Sequence, residues 1–421
     1  MAVTPAGRRR RRVPDRAARP SLPVEPARVR DHPGARAVHR ETTMATVRIG
    51  TFNVENLFER PRAMAGPLTG GNTVLAAHAR VNTLLAEESY GPEVRAEILE
   101  HLGTLGLLRS DAAALAVLRQ VRGRLVRRTG SGAAGTARTE VVARGRADWV
   151  GWVDLVKDRV DELAMVHTAR VVTDVRADVL AVVEAENRVA LKHFTDAGVT
   201  RAGRPRYPHV MVIDGNDDRG IDVGLLTTRP YRIGSVRSHV DDRDSRGRLV
   251  FGRDCPEYVV ELPGGGTLTV LVNHFKSKGY GTQSESDATR RRQATRTAAI
   301  YAALRARGEE NVVVVGDLND TPGSTPLRPL LRGTDLRDVS EHPAFRGDGR
   351  PGTYGNGTAS QKIDYVLLSP ALFERTVGGS VFRKGVWGGT HGTLFPHYDT
   401  MTAPSHAASD HAALFADVDL V

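Results

Sequence analysis

The chain has 421 residues, 40% of them hydrophobic, enough for a sizeable core in one large α/β domain or two ordinary ones. No apolar run approaches the roughly 18 residues of a membrane span, no charged–apolar–small succession marks a secretory signal, and the single cysteine, Cys255, excludes an internal disulfide and a cysteine-based zinc cluster. The formal charge of +10 is concentrated at one end: residues 1–43 hold eleven arginines against four acids, a net of +7, which leaves +3 for the remaining chain. A cytoplasmic protein with no membrane partner and no evident obligate protein partner is expected. Residues 1–43, arginine-rich and poor in apolar side chains, are expected to be disordered. They read as a nucleic-acid-binding arm, as a solvated extension, or as sequence upstream of a working start at Met44.

From Thr46 the pattern becomes strand-like and ends at Asn53, with Glu55 and Asn56 close behind. Between about Thr73 and Arg128 apolar residues recur at helical spacing (Val74, Leu75, Val81, Leu84; Ile98, Leu102; Leu115, Leu118, Val121, Leu125). This predicts several amphipathic helices, then a flexible glycine-rich loop at 130–136, and together a helical insertion at about 61–146 with no visible chemistry. A further helix is expected from about Trp149 to Asp174, on the stripe Val153, Val156, Val160, Leu163 and Val166.

Val179 to Val183 is a continuous apolar run, a central strand that terminates in Glu184, Glu186 and Asn187. Two carboxylates at the end of a buried strand are unfavourable without a cation or donors, whereas the first turn of a following helix accommodates only one comfortably. This points to Glu184 as a ligand. His209–Ile213 and Ile221–Leu226 read as a hairpin with Arg219 at its tip, either in a surface ion pair or neutralising a phosphate. After short edge strands, Leu268–His274 repeats the central pattern and delivers Asn273, His274 and Lys276 to its mouth, groups that could serve a phosphate. A helix over about 287–307 leads into four consecutive valines, 312–315, which form a strand too short and too β-branched to be helical. It stops at Gly316 and presents Asp317, Asn319 and Asp320. Ile363-Asp-Tyr365 then buries Asp364 in an apolar strand, where it needs a partner. Ser409-Asp-His411 opens the closing strand, and His391, His397 and His406 before it have no ligand spacing.

The ordered set Thr51-Phe-Asn-Val-Glu-Asn56, Glu184, Arg219-Gly-Ile-Asp-Val223, Asn273-His274, Gly316-Asp-Leu-Asn319, Ile363-Asp-Tyr365 and Ser409-Asp-His411 resembles the endonuclease/exonuclease/phosphatase family, which includes deoxyribonuclease I, exonuclease III-type repair nucleases, neutral sphingomyelinases and inositol polyphosphate phosphatases. The resemblance spans about residues 46–60 and 165–421 and leaves the arginine tail and the insertion uncovered. It implies one catalytic domain over 44–421, folded as an α/β four-layer sandwich of two packed mixed sheets flanked by helices, deoxyribonuclease I-like. By position it implies Asn53 and Glu184 as the metal pair with Asp410 close by. It also implies His411 as the catalytic histidine oriented by Asp364, Asp317 and Asn319 as holders of water and phosphate, and His274 as a second phosphate-contacting histidine.

Oxygen donors of this kind suit magnesium first and manganese second. The general base is either Asp317 or the His411–Asp364 pair. Arg219, Asn273 and Lys276 are the candidate phosphate binders. In place of the tyrosine that some repair endonucleases of the family carry here stands Arg219-Gly220-Ile221, which speaks against a specialised abasic-site activity. The implied function is a magnesium-dependent phosphodiester hydrolase. The first reading is a nuclease, an endonuclease on DNA or RNA. The alternative is a phosphatase or phosphodiesterase on small phosphate esters or phospholipid head groups. A non-catalytic nucleic-acid-binding protein would not need Glu184, Asp317, Asn319, Asp364, Asp410 and His411, all of which are present.

Overall fold

The four valines that precede Asp317 divide alternately between two cores, and this alternation explains the architecture. In the computed structural model, which describes residues 45–62, 68–130, 138–201, 204–217, 219–279 and 282–420, Val313 and Val315 point into one buried cluster and Val312 and Val314 into another. Residues 1–43, read as an arginine-rich tail, and residues 131–136 of the glycine-rich loop lie outside the described residues.

Two six-stranded mixed sheets carry the fold. The first runs, in spatial order, His209–Ile213, Asp222–Thr227, Val179–Ala185, Ala45–Asn53, Ala413–Leu420, Thr376–Phe382. The second runs Arg232–Arg237, Glu257–Glu261, Thr267–His274, Val312–Asp317, Asp364–Leu368, Arg337–Asp338. Their facing sides share one core, in which Val47, Ile49, Val183 and Leu414 of the first sheet meet Val270, Val272, Val315 and Val366 of the second. Helices Glu162–Val175 and Arg188–Gly198 cover the outer face of the first sheet, and Gln283–Ala306 covers that of the second. This is the expected four-layer sandwich, within a compact unit formed by Thr43–Val421. Among the described residues no helix is long and apolar enough to cross a membrane.

Inner-face positions recur every second residue along a strand. Asn53 follows Val47 and Ile49, His274 follows Val270 and Val272, Asp317 follows Val313 and Val315, and Asp364 precedes Val366 and Leu368. The polar groups at these strand ends therefore continue the inter-sheet core at one end of the sandwich.

Gly316 lets the two central strands of the second sheet close up. Its φ is +128°, and a Cβ there would lie 1.9 Å from the Asn273 carbonyl oxygen. Gly316→Ala is expected to destabilise the protein by about 3–5 kcal/mol in urea denaturation, combining backbone strain with overpacking. A loss below about 1 kcal/mol would show that the strands separate easily.

The insertion corrects the helical reading. Helices Leu68–Leu85 and Pro92–Thr104 form, but Ala116–Arg122, Val126–Thr129 and Arg138–Val141 are strands, and so is Val150–Leu155 where the next helix was expected to begin. That helix starts only at Glu162, capped by Asp161, whose side chain accepts from the Leu163 amide. Leu118 and Val153 do fall at helical intervals within their segments, yet they face each other in an antiparallel pair of strands. Pairing between segments some 35 residues apart, helped by β-branched valines, overrides the local period. With the two helices these strands enclose a separate core around Leu84, Ile98, Leu102, Trp149 and Val153.

Candidate active site

The open end of the inter-sheet core is a cavity of about 350 Å³ whose walls include Glu184, Arg219, His274, Asp317, Asn319, Asp410 and His411. Glu184 reaches it through a backbone irregularity. By alternation it would face the outer helices with Leu180 and Val182, but the register shifts between Asp222 and Val223 opposite it, and its φ is +67°. A bulge with a left-handed non-glycine residue turns the carboxylate inward. Glu55, Asn56 and Asn319 also have positive φ, so four of the five such non-glycine residues among those described line or flank this cavity. Concentrated strain of this sort is typical of functional sites.

Asn53, fully buried, donates from Nδ2 toward both Glu184 Oε1 and Asp317 Oδ2, each at 3.3 Å. His274 Nε2 lies 3.5 Å from Glu184 and 3.8 Å from Asp317. Burial, with the nearby Arg253 and Arg219 guanidiniums, holds this imidazole well below its usual range, hence neutral. Asn319 donates its amide and Nδ2 to Asp317, at 2.8 and 3.0 Å. Burial, then the Asp364 carboxylate, with Glu184 adding, push the Asp317 carboxyl up to about 7.

Asp317 stands directly across the sheet from Asp364. Asp364 accepts from Thr353 Oγ1 at 2.6 Å and holds His411 Nδ1 at 2.9 Å. The other ring nitrogen, Nε2, faces Asp317 at 3.9 Å and Asp410 at 3.7 Å. Burial alone would lower the His411 pKa, but Asp364, Asp410 and Asp317 outweigh it and raise it well above the ordinary value. Ser409 ties this loop to the first strand, its hydroxyl donating to the Asn53 carbonyl at 2.7 Å and accepting from the His411 amide at 2.9 Å.

Arg219 lies against Asp217 in a two-point pair of 2.9 and 2.8 Å, and Arg253 shares the same carboxylate at 3.0 Å. These guanidiniums hold Asp217 ionised far below the usual carboxylate range despite its burial. Burial, with the Arg253 and Arg219 charges, lowers the Lys276 ammonium to about 8.

One expectation changes, and two acids find their partners. Asn273 does not face the cavity: it sits at an outer-face position with Leu271, accepting from Thr297 Oγ1 of the covering helix at 3.1 Å and donating to the Leu271 carbonyl at 3.3 Å. Strand parity sends its neighbour His274 inward instead. Asp410 shares the cavity with Glu184, but its carboxylate is directed at His411 and Tyr354. Glu186 accepts the Phe58 and Glu59 amides, at 2.5 and 3.1 Å, and so fixes the loop after the first strand.

Sequence reasoning missed Thr353 and Tyr354. Tyr354 packs its ring 5.0 Å from that of His411, and burial with the Asp410 carboxylate, the larger effect, keeps its hydroxyl protonated. Both lie in a stretch without periodicity, brought in by the bridge from Tyr354 to His411 and by the bonds of Thr353 to Asp364 and to the Ala412 amide.

Residues 145–411 match the model of the Endonuclease/Exonuclease/phosphatase family. Among solved structures the chain is similar to a mannosyl-6-phosphatase of Bacteroides thetaiotaomicron (14% identity, 61% of this chain and 92% of that one, TM-score 0.45). It is also similar to truncated TDP2 of Caenorhabditis elegans (13%, 61% and 91%, TM-score 0.42) and to sphingomyelinase C of Streptomyces griseocarneus (19%, 60% and 91%, TM-score 0.42). No curated protein matches the chain.

Proposed function

The chain belongs to the endonuclease/exonuclease/phosphatase family of metal-dependent phosphoesterases, and from that premise we propose that it is a magnesium-dependent nuclease, hydrolysing a phosphodiester of DNA or RNA by attack of water. The observation that carries this reading is the mixed lining of one cavity: carboxylates and a carboxylate-held imidazole together with the cations Arg219 and Lys278, and Lys276 close to Arg219, a set that can meet a phosphate backbone. The solved relatives include both a mannosyl-6-phosphatase and a sphingomyelinase, so the substrate class rests on this chain's own residues.

The donor set fits a hard cation. Glu184 and Asp317 bring carboxylate oxygens to the Asn53 side chain, whose Nδ2 donates to both while its Oδ1 accepts from the Glu55 amide; turning that amide over would add its oxygen to the set, and burial, then the neighbouring carboxylates, push the Asp317 carboxyl up. Glu184 and Asn53 would hold magnesium, or manganese in its place. Bound there, the ion would supply Lewis-acid polarisation of the phosphoryl oxygen and stabilise the leaving oxygen. Asp317, Asp364 and His411 also bring potential ligand atoms within 4.8 Å of one another. We assign this triplet to proton handling, because Asp364 already engages His411 Nδ1 and the Thr353 hydroxyl.

In this scheme Asp317, held by Asn319, accepts the proton of the attacking water. His411, kept protonated by Asp364 and Asp410, donates from Nε2 to the charge that develops on the phosphorus oxygens. Arg219 and Lys276 neutralise the substrate anion, and neutral His274 orients a phosphate oxygen without adding charge.

The elevated Asp317 pKa makes a stability prediction. A carboxyl at about 7 in the folded state against 3.8 as its ordinary value takes up a proton on folding, so its contribution to stability is present at low pH and is lost as pH rises toward 7. In chelator, Asp317→Asn is expected to raise the Tm at pH 8 by about 2–4 °C, an order-of-magnitude figure, and to leave it nearly unchanged at pH 4. Equal shifts at both pH values would refute this charge-based account.

The function itself is tested with supercoiled plasmid, single-stranded DNA, RNA and a chromogenic phosphodiester, each with magnesium and with chelator. Magnesium-dependent nicking or strand scission is the expected result. Cleavage of the small ester alone would replace the nuclease with a small-ester phosphodiesterase.

A further inference from the structure

The insertion that precedes most of the family match builds a second cleft beside the active site. This cleft, about 420 Å³, is walled by Val117 and Arg119 of the insertion, by Asp154 and Lys157 just after it, and by Arg219 of the sandwich. Arg219 also lines the catalytic cavity, so the two lie side by side with this side chain as a shared wall. Lys157 Nζ lies 4.0 Å from where a Cβ on Gly220 would stand, next to Arg219.

Charge and exposure single out the strands at the end of the insertion and just after it. Residues 115–157 contain nine basic and three acidic side chains, a net of +6, whereas residues 68–114 contain three basic and six acidic, a net of −3. The basic surplus is therefore carried by the part that borders the cleft. In the Ala116–Arg122 and Val150–Leu155 pair, Arg119 stands directly opposite Trp152. Trp152 is 44% exposed, the one aromatic ring among the exposed large apolar side chains of the described residues, and Val121, two residues on from Arg119, is 66% exposed. Asp154 anchors this face, accepting from Arg119 Nε at 2.7 Å and from the Trp152 indole at 2.6 Å. An exposed aromatic ring beside cations, on the strand pair that walls a cleft next to a phosphoester site, is the combination that binds single-stranded nucleic acid: stacking for a base, positive charge for the backbone.

We propose that Trp152 and Arg119, with Lys157 and Arg219, form a groove that holds a single-stranded nucleic-acid segment extending from the scissile phosphate, with a base stacked on Trp152. The proposal rests on the nuclease reading and deepens it. The insertion thereby converts a generic phosphodiester site into one that grips a strand.

The test separates binding from cleavage. Anisotropy titrations in chelator use labelled oligothymidylate and oligouridylate of about 12 nucleotides, within the span such grooves cover. Kinetics in magnesium use the same oligomers and the chromogenic phosphodiester. Trp152→Ala and Arg119→Ala are each expected to weaken oligomer binding about tenfold, the scale of one lost stack or phosphate contact, and to raise KM on oligomers equally. Turnover of the small ester should be unchanged, which also shows that the variants fold, and Trp152→Phe should restore most of the binding. A preference for the thymidylate or the uridylate oligomer identifies the source of the strand. Oligomers cut by the wild type and bound equally by both alanine variants overturn the groove and leave the nuclease standing. Binding that depends on Trp152 without any cleavage supports the groove and overturns the nuclease.

Discussion

His411→Ala is expected to reduce magnesium-dependent hydrolysis of any phosphodiester by about a thousandfold or more, combining the loss of a positioned proton donor with that of a charge at the transition state. The ring is buried, its Nδ1 is held 2.9 Å from Asp364, and its Nε2 points at the cavity between Asp317 and Asp410. The three carboxylates keep it protonated against the effect of burial, so it reaches the substrate as a cation without extra cost at the moment of reaction. Asp364→Asn keeps the volume but removes the charge that holds the ring, and should cost about a hundredfold or more, with the alkaline limb of the pH–rate profile moving to lower pH. Turnover of His411→Ala within tenfold of wild type would exclude this imidazole from the chemistry.

The second large effect is expected at Glu184. Magnesium at about 100 times its Kd should stabilise the wild type by about 2.7 kcal/mol, and Glu184→Gln should remove most of that gain together with hydrolysis. The carboxylate is placed by the bulge at φ +67° and faces Asn53 and His274; Asp317, which approaches the same two groups, is already engaged by the Asn319 amide and Nδ2. The readout is the metal-dependent rise in Tm, which does not require turnover. A rise that survived in Glu184→Gln but vanished in Asp364→Asn would move the cation to the Asp317, Asp364 and His411 triplet.

Much of the fold and of the site was legible along the chain. Val179–Val183, Leu268–Val272 and Val312–Val315 are apolar runs that could only be central strands, and each ends in polar residues. The order of these motifs was enough to indicate the family, which the match over residues 145–411 establishes. The insertion was misread because apolar spacing near 3.6 residues occurs in strands by chance, and the partner that settles the matter, Val150–Leu155, lies about 30 residues away.

What the sequence determined by itself is the inventory and its alternation: which residue types stand at the strand ends, and which share a face with core valines. Alternation places His274, Asp317 and Asp364 with the inter-sheet core and sets Asn273 apart from it, once the inward valines are known. Only the tertiary structure decided which face was inward, that a bulge opposite Asp222 and Val223 turns Glu184 against its parity, that Thr353 and Tyr354 come up to the site, and that Arg119 shares a neighbouring cleft with Arg219. The reason is one of range. Alternation is imposed residue by residue through backbone geometry, whereas a register shift or a cleft exists only between segments brought together from far apart in the chain.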